Sequence, residues 1–63
     1  MEDYQKRVIA EQKELDSKIV KLDAFVSSYQ YSVLTKPERD MMRRQRVAMV
    51  NYSNVLGERI RLF

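Results

Sequence analysis

Two groups of side chains able to bind an anion lie near opposite ends of this 63-residue chain. Tyr4 and Arg7 are close to the N-terminus, and Arg59 and Arg61 are close to the C-terminus. A guanidinium group binds phosphate through a planar pair of N–H donors, and an aromatic ring can stack on a nucleobase. If the fold brings the chain ends together, these side chains suit a small nucleotide.

The same residues also fit a simpler interpretation, in which they form part of a solvated charged surface. Acidic side chains that could act as their counterions lie nearby in the sequence, and they are Glu2, Asp3, Glu11, Glu14 and Glu58. Residue spacing alone favours this solvated surface over a binding site, so both interpretations stay open at this point.

A turn in the middle of the chain must position the two groups. Thr35 is followed three residues later by Glu38, a spacing that allows each side chain to bond an unpaired backbone N–H of the other. Pro37 suits the first helical turn and disfavours helix in the residue before it. The sequence therefore predicts that a new helix begins near Lys36 and that the chain reverses within about residues 27–36.

Helical periodicity runs on both sides of this turn. Before it, one apolar stripe consists of Met1, Tyr4, Val8, Leu15, Ile19, Leu22 and Val26. After it, a heptad-like stripe consists of Met42, Gln45, Met49, Tyr52, Leu56, Arg59 or Ile60, and Phe63. We predict an all-α fold, a single antiparallel two-helix hairpin over residues 1–63. Its helices span about residues 3–27 and 36–62, and a loop spans about 28–35.

The hairpin sets residue i opposite roughly residue 64 − i. This register brings Tyr4 and Arg7 to Arg59 and Arg61 at the open end of the hairpin. A second basic zone at mid-length is predicted to contain Lys18, Lys21, Arg43, Arg44 and Arg46.

Some apolar side chains lie outside the two stripes. Ile9 and Val20 project from a second face of the first helix, and Val47 and Val50 do so from the second. A chain this short rarely builds a sufficient core alone, and without cysteine it has no disulfide to compensate. We therefore expect a homo-oligomeric helical bundle. Gly57, inside the second helix, indicates either the close approach of a backbone or a ligand beside it, or sequence drift or a frayed helix end.

Composition argues against several classes of function. The chain lacks His and Cys, so we expect no enzyme, no metal site and no cofactor. No apolar run is long enough for a membrane span, and the acidic N-terminus is unlike a signal peptide, so we expect a cytosolic protein. The net charge of +3 is mild. The arginines between residues 39 and 46 point around most of the helix, so long nucleic acid is not an expected partner.

Several segments resemble the helical hairpin of phage cyclic-nucleotide sponges, which comprise anti-CBASS proteins and the related domain of anti-Thoeris sponges. In the first helix, the resembling residues are Tyr4-Gln5-Lys6-Arg7-Val8, Glu11, Leu15-Asp16-Ser17-Lys18-Ile19 and Leu22-Asp23-Ala24-Phe25-Val26. In the second, they are Gln45, Met49, Tyr52, Val55-Leu56-Gly57-Glu58-Arg59-Ile60 and Phe63.

The resemblance implies a non-enzymatic protein of the host bacterial cytoplasm that sequesters cyclic di- or trinucleotide messengers in a homo-oligomer, typically a hexamer. It also implies three ligand contacts, which fall on Tyr4, Lys18 and Arg59. Arg7 and Arg61 are added by the spacing argument alone. An alternative function is that of a structural or protein-interaction hairpin, a phage accessory protein that docks on a host protein through Val47 and Val50.

Overall fold

The computed structural model describes all 63 residues, and every regular element in it is an α-helix. Helix α1 spans Asp3–Val26, the short helix α2 spans Tyr29–Ser32, and helix α3 spans Lys36–Arg61. The two long helices run antiparallel and pack along their length, giving a rod of 46 × 15 × 13 Å. The protein is therefore an all-α hairpin closed at one end by a short connection.

Hydrogen bonds at the helix starts explain where α1 and α3 begin. The Glu38 N–H donates to Thr35 Oγ1 at 3.3 Å, and the Thr35 N–H donates to the Glu38 carboxylate at 3.4 Å. Pro37 occupies the first turn of α3. The capping box predicted at this position is thus present. A second capping box at α1 pairs Glu2 with Gln5, whose Oε1 accepts the Glu2 N–H at 2.9 Å.

The connection contains a helical turn rather than loop alone. Helix α1 ends at Val26, with Ser27 as its C-cap, and the Ser28 hydroxyl donates to the Phe25 carbonyl at 2.5 Å. In α2, the Tyr31 ring is buried and meets Phe25 edge to face, with ring centroids 6.5 Å apart. Val33, in contrast, is 60% exposed. The aromatic pair therefore closes this end of the hairpin.

The core between the helices is thin. Four of the 63 residues are buried, namely Val8, Tyr31, Ser53 and Leu56, and Leu56 is the single large side chain that is fully enclosed. Gln45 and Tyr52, which the periodicity places in the seam of the second helix, are exposed, and Ser53 lies in the seam instead. The hairpin alone buries little apolar surface for its length.

The contacts across the helix interface lie one to five residues away from the expected register. Glu11 contacts Tyr52, one residue from the expected partner, whereas Asp16 contacts Ser53 and Asp23 contacts Arg46, each five residues beyond it. Helical side chains lean toward the N-terminus of their own helix. In an antiparallel pair, the two leans point in opposite directions, so contacting side chains come from backbone positions offset along the axis.

The apolar side chains outside the stripes divide into two kinds. Val20 is 67% and Val47 is 58% exposed, so these two do project away from the hairpin core as expected. Ile9 and Val50 are half-buried at the margin of the helix pair, so their predicted full exposure was wrong. Each long helix nevertheless retains apolar surface in contact with solvent.

Candidate ligand-binding site

The open end of the hairpin is defined by a contact between two aromatic rings. Tyr4, in the first turn of α1, packs edge to face against Phe63, with centroids 5.9 Å apart and ring planes at 80°. Tyr4 is 52% exposed. Phe63 thus fixes the orientation of a ring that still presents much of its surface for stacking.

Three of the predicted positively charged residues lie about one helical turn or less from this aromatic contact. Arg7 follows Tyr4 by three residues on the same side of α1, while Arg59 and Arg61 are in the last turn of α3. All three side chains are exposed, and none forms a salt bridge. The open end therefore carries several arginines without a salt-bridge partner beside an aromatic ring.

The two arginines of α3 do not share one side of the helix. At 100° per residue, Arg61 projects about 200° further round α3 than Arg59 does. Arg59 follows Tyr52 by seven residues and so lies on the same side of α3. Its positive charge there opposes the rise in the pKa of the Tyr52 hydroxyl. Arg61 therefore points toward the other edge of the hairpin.

A hydrogen bond between Glu11 and Tyr52 marks the edge on which Arg59 lies. The Tyr52 hydroxyl donates to Glu11 Oε2 at 2.5 Å. This bond raises the pKa of Tyr52, and burial and the negative charge of Glu11 act in the same direction. The bond joins α1 to α3 about two to three helical turns inside the open end. Because Tyr52 also fits an apolar stripe, periodicity did not identify it as a polar partner for Glu11.

Lys18 belongs to this edge but lies far from the open end. Tyr4, Arg7, Glu11 and Lys18 are spaced by three, four and seven residues, which places them along one side of α1. At a rise of 1.5 Å per residue, Lys18 is about 21 Å from Tyr4 along the helix. One small ligand does not reach both residues within a single hairpin.

A partly buried polar cluster that the sequence did not predict lies behind this edge. The Ser53 hydroxyl donates to Asp16 Oδ1 at 2.5 Å, and Gln12 Nε2 donates to the Ser53 carbonyl at 3.1 Å. A Cβ atom at Gly57 would be 3.0 Å from Gln12 Nε2. The glycine thus makes room for the Gln12 amide. A close approach is present, but the neighbour is a side chain rather than the expected backbone or ligand. Only the glycine signalled this cluster in the sequence.

The basic zone predicted at mid-length is split by an ion pair. The Arg46 guanidinium contacts both carboxylate oxygens of Asp23 across the helix interface. Their hydrogen bond lowers the pKa of the Asp23 carboxyl, with a smaller contribution from the positive charge of Arg46. Arg46 is therefore engaged in holding the helices together. Arg43 and Arg44 instead line a shallow groove on the outer side of α3.

No group of three or more acidic, His or Cys side chains is arranged to hold a metal ion. None of the helices combines the length and apolar composition needed to cross a bilayer.

A hairpin with exposed arginines around a held tyrosine defines a small α-helical scaffold suited to binding an anion. A comparison with known protein families identifies the family of this chain. The chain belongs to the Sequestin family, whose model matches residues 2–62. That name denotes sequestration, and it fits the resemblance to sequestering sponge proteins of the anti-CBASS type. No curated protein and no solved structure matches the chain.

Proposed function

We propose that this protein is a phage immune-evasion protein that binds and sequesters cyclic oligonucleotide messengers of bacterial CBASS-type defence. It would act in the cytoplasm of the host cell, on cyclic di- or trinucleotides, and without turnover. Membership of the Sequestin family supports sequestration. The observation that carries the nucleotide assignment is the exposed Tyr4 ring, held by Phe63 beside arginines without a salt-bridge partner.

In the proposed mode of binding, Tyr4 stacks on a base while Arg7 and Arg59 bind phosphate. Stacking on an aromatic ring tolerates different bases, and guanidinium groups match the geometry of phosphate oxygens. The start of α1 carries the acidic residues Glu2 and Asp3, whose negative charges disfavour an anion at this helix end. Phosphate binding at this end therefore depends on side chains.

The position of Lys18 supports a pocket shared between protomers. About 21 Å of helix separates Lys18 from Tyr4, so one nucleotide contacting both residues must use Lys18 of one hairpin and Tyr4 of another. Arg61 projects from the edge of the hairpin opposite to Arg59. One nucleotide that contacts both of these arginines must therefore also use two hairpins. A homo-oligomer, a hexamer in this proposal, would bring such edges together and would complete sites that no single hairpin contains.

A binding experiment with matched variants tests the proposal. Isothermal titration of a panel of cyclic di- and trinucleotides compares the parent protein with Arg59→Ala, Lys18→Ala and Lys13→Ala. Lys13 is an exposed α1 residue outside the site, so its variant controls for the loss of one positive charge. We expect at least a tenfold loss of affinity in the first two variants, since each removes a charge-assisted phosphate contact. Lys13→Ala should bind like the parent.

Mass spectrometry of the same complexes addresses turnover. Ligand recovered at its intact mass after prolonged incubation agrees with sequestration, and recovery of linear products would contradict it. If no member of the panel binds the parent protein, the nucleotide assignment is wrong. If the Lys13 variant loses as much affinity as the other two, binding reflects net charge and the site residues are wrong.

A further inference from the structure

A second regular stripe of side chains runs along the side of α3 that faces away from α1. Its members are separated alternately by three and four residues, the spacing of a coiled-coil seam. They are Met41, Arg44, Ala48, Asn51, Val55, Glu58 and Leu62. We call this set the outer seam. It continues without interruption from the second turn of α3 to the residue that ends it.

Every member of the outer seam is exposed in the hairpin. Met41 is 57%, Val55 is 50% and Leu62 is 87% exposed. Arg44 and Glu58 form no salt bridge, and the one side-chain contact of Arg44 is with the Met41 sulfur in the same seam. The outer seam therefore holds apolar groups and opposite charges that the protomer itself leaves without partners.

The outer seam is complementary to itself when read in the reverse direction. Placed antiparallel about Asn51, Met41 comes level with Leu62, Arg44 with Glu58, and Ala48 with Val55. On the other side of Asn51 the same pairs recur in reverse order. Each charged residue is therefore level with an opposite charge, and each apolar residue is level with an apolar one. A parallel arrangement would instead oppose Arg44 to Arg44 and Glu58 to Glu58.

We propose that the outer seam binds the same seam of a second copy of this chain, with the two α3 helices antiparallel and a two-fold axis at Asn51. An isologous contact of this kind is the commonest in homo-oligomers. The two Asn51 side chains form a single polar layer at the centre. An asparagine in such a seam favours one register. A shift by one heptad would bring Asn51 level with Arg44 or Glu58, and it would break the pairing of Arg44 with Glu58.

The surface of α3 already has the shape that this contact requires. A shallow groove of about 390 Å³ is lined by Arg44, Val47, Ala48 and Asn51, with Arg43 at its margin. The first four are spaced i, i+3, i+4 and i+7, which is the arrangement of a hole that receives one side chain of a facing helix. In the antiparallel register, the side chain level with this hole is Val55 of the partner copy.

The core of one hairpin is thin, so a contact that buries more side chains would stabilise the protomer. Only four residues of the hairpin are buried, whereas the outer seam extends over about 32 Å of helix at 1.5 Å per residue. Pairing two such seams converts the helical hairpin into a four-helix unit with a second buried layer. The proposal requires no nucleotide and stands independently of the proposed function.

Cysteine cross-linking tests the geometry, since the chain has no native cysteine and each variant carries a single thiol. In ligand-free protein, Asn51→Cys should form a covalent dimer under mild oxidation at least tenfold faster than Lys13→Cys, a control on the exposed side of α1. A mixture of Ala48→Cys and Val55→Cys should cross-link faster than either variant alone. Equal cross-linking rates for Asn51→Cys and the control would overturn the proposal. So would faster cross-linking of Ala48→Cys or Val55→Cys alone than of their mixture.

Charge exchange tests the chemistry without relying on new thiols. Arg44→Glu and Glu58→Arg should each raise the dimer dissociation constant roughly tenfold in analytical ultracentrifugation, because the two-fold axis places each change in two layers. The double variant should return to the parent value. Absence of this recovery would contradict the seam. Nucleotide binding is measured separately, so failure of either proposal is recognised without the other.

Discussion

Gly57 shows how a single residue is explained only by its tertiary neighbour. In the sequence it is an unfavourable residue inside a helix, costing about 1 kcal/mol relative to alanine. In the structure, Gln12 occupies the space beside it and bonds the Ser53 carbonyl. The glycine was visible in the sequence, but its partner, 45 residues away, depends on the exact register of the two helices.

The first prediction is a coupling between Gly57 and Gln12. In the parent protein, Gly57→Ala should change the free energy of unfolding little, because the gain in helix propensity is offset by displacement of the Gln12 hydrogen bond. In the Gln12→Ala background, the same change should stabilise by about 1 kcal/mol. Urea denaturation at fixed protein concentration measures both.

Additive effects in this double-mutant cycle would contradict the contact. They would mean that the space beside Gly57 is open in solution, and the glycine would then have no packing role.

At the scale of the elements, residues close together in sequence specify the long helices. The short helix α2 is not specified in this way. Thr35, Pro37 and Glu38 specify the start of α3 through bonds between near neighbours, so the sequence alone predicts it. Helix α2 depends on Tyr31 packing against Phe25 across the turn, a contact that periodicity does not describe. The seam of α3 was misplaced at Tyr52 for a related reason, since an aromatic residue near the seam bonds Glu11 instead of entering the core.

The second prediction concerns the start of α3. Thr35→Ala removes the oxygen that accepts the Glu38 N–H, and it should lower the free energy of unfolding by about 1 kcal/mol. Thr35→Ser keeps the hydroxyl and should stay close to the parent. Chemical denaturation of the three proteins compares them, and equal loss in the two variants would attribute the effect to the lost methyl group rather than to the cap.

On the scale of the whole molecule, one hairpin leaves apolar side chains in contact with solvent. The sequence indicated this through surplus apolar positions, and the structure bears it out at Val20 and Val47. It did not reveal the outer seam, because charges at Arg44 and Glu58 interrupt the apolar pattern. Their role becomes apparent only when a second α3 is laid antiparallel to the first.

The third prediction is that stability depends on protein concentration. If folding is completed by association, the midpoint of thermal unfolding should rise as concentration increases, since mass action favours the assembled state. Circular dichroism over a hundredfold range of concentration measures the midpoint. A midpoint that does not move would identify a self-sufficient monomer, contrary to the proposed oligomer.

The position of the Phe25–Tyr31 pair has a consequence for the order in which the hairpin forms. These rings are six residues apart in sequence, so their contact closes a short loop at little entropic cost, whereas Tyr4 and Phe63 close the longest loop in the chain. Folding should thus zip from the turn toward the termini, and fraying should begin where the termini meet. A ligand held at Tyr4 and Arg59 would bind at the last part of the protein to become ordered, and it would fasten the two chain ends together.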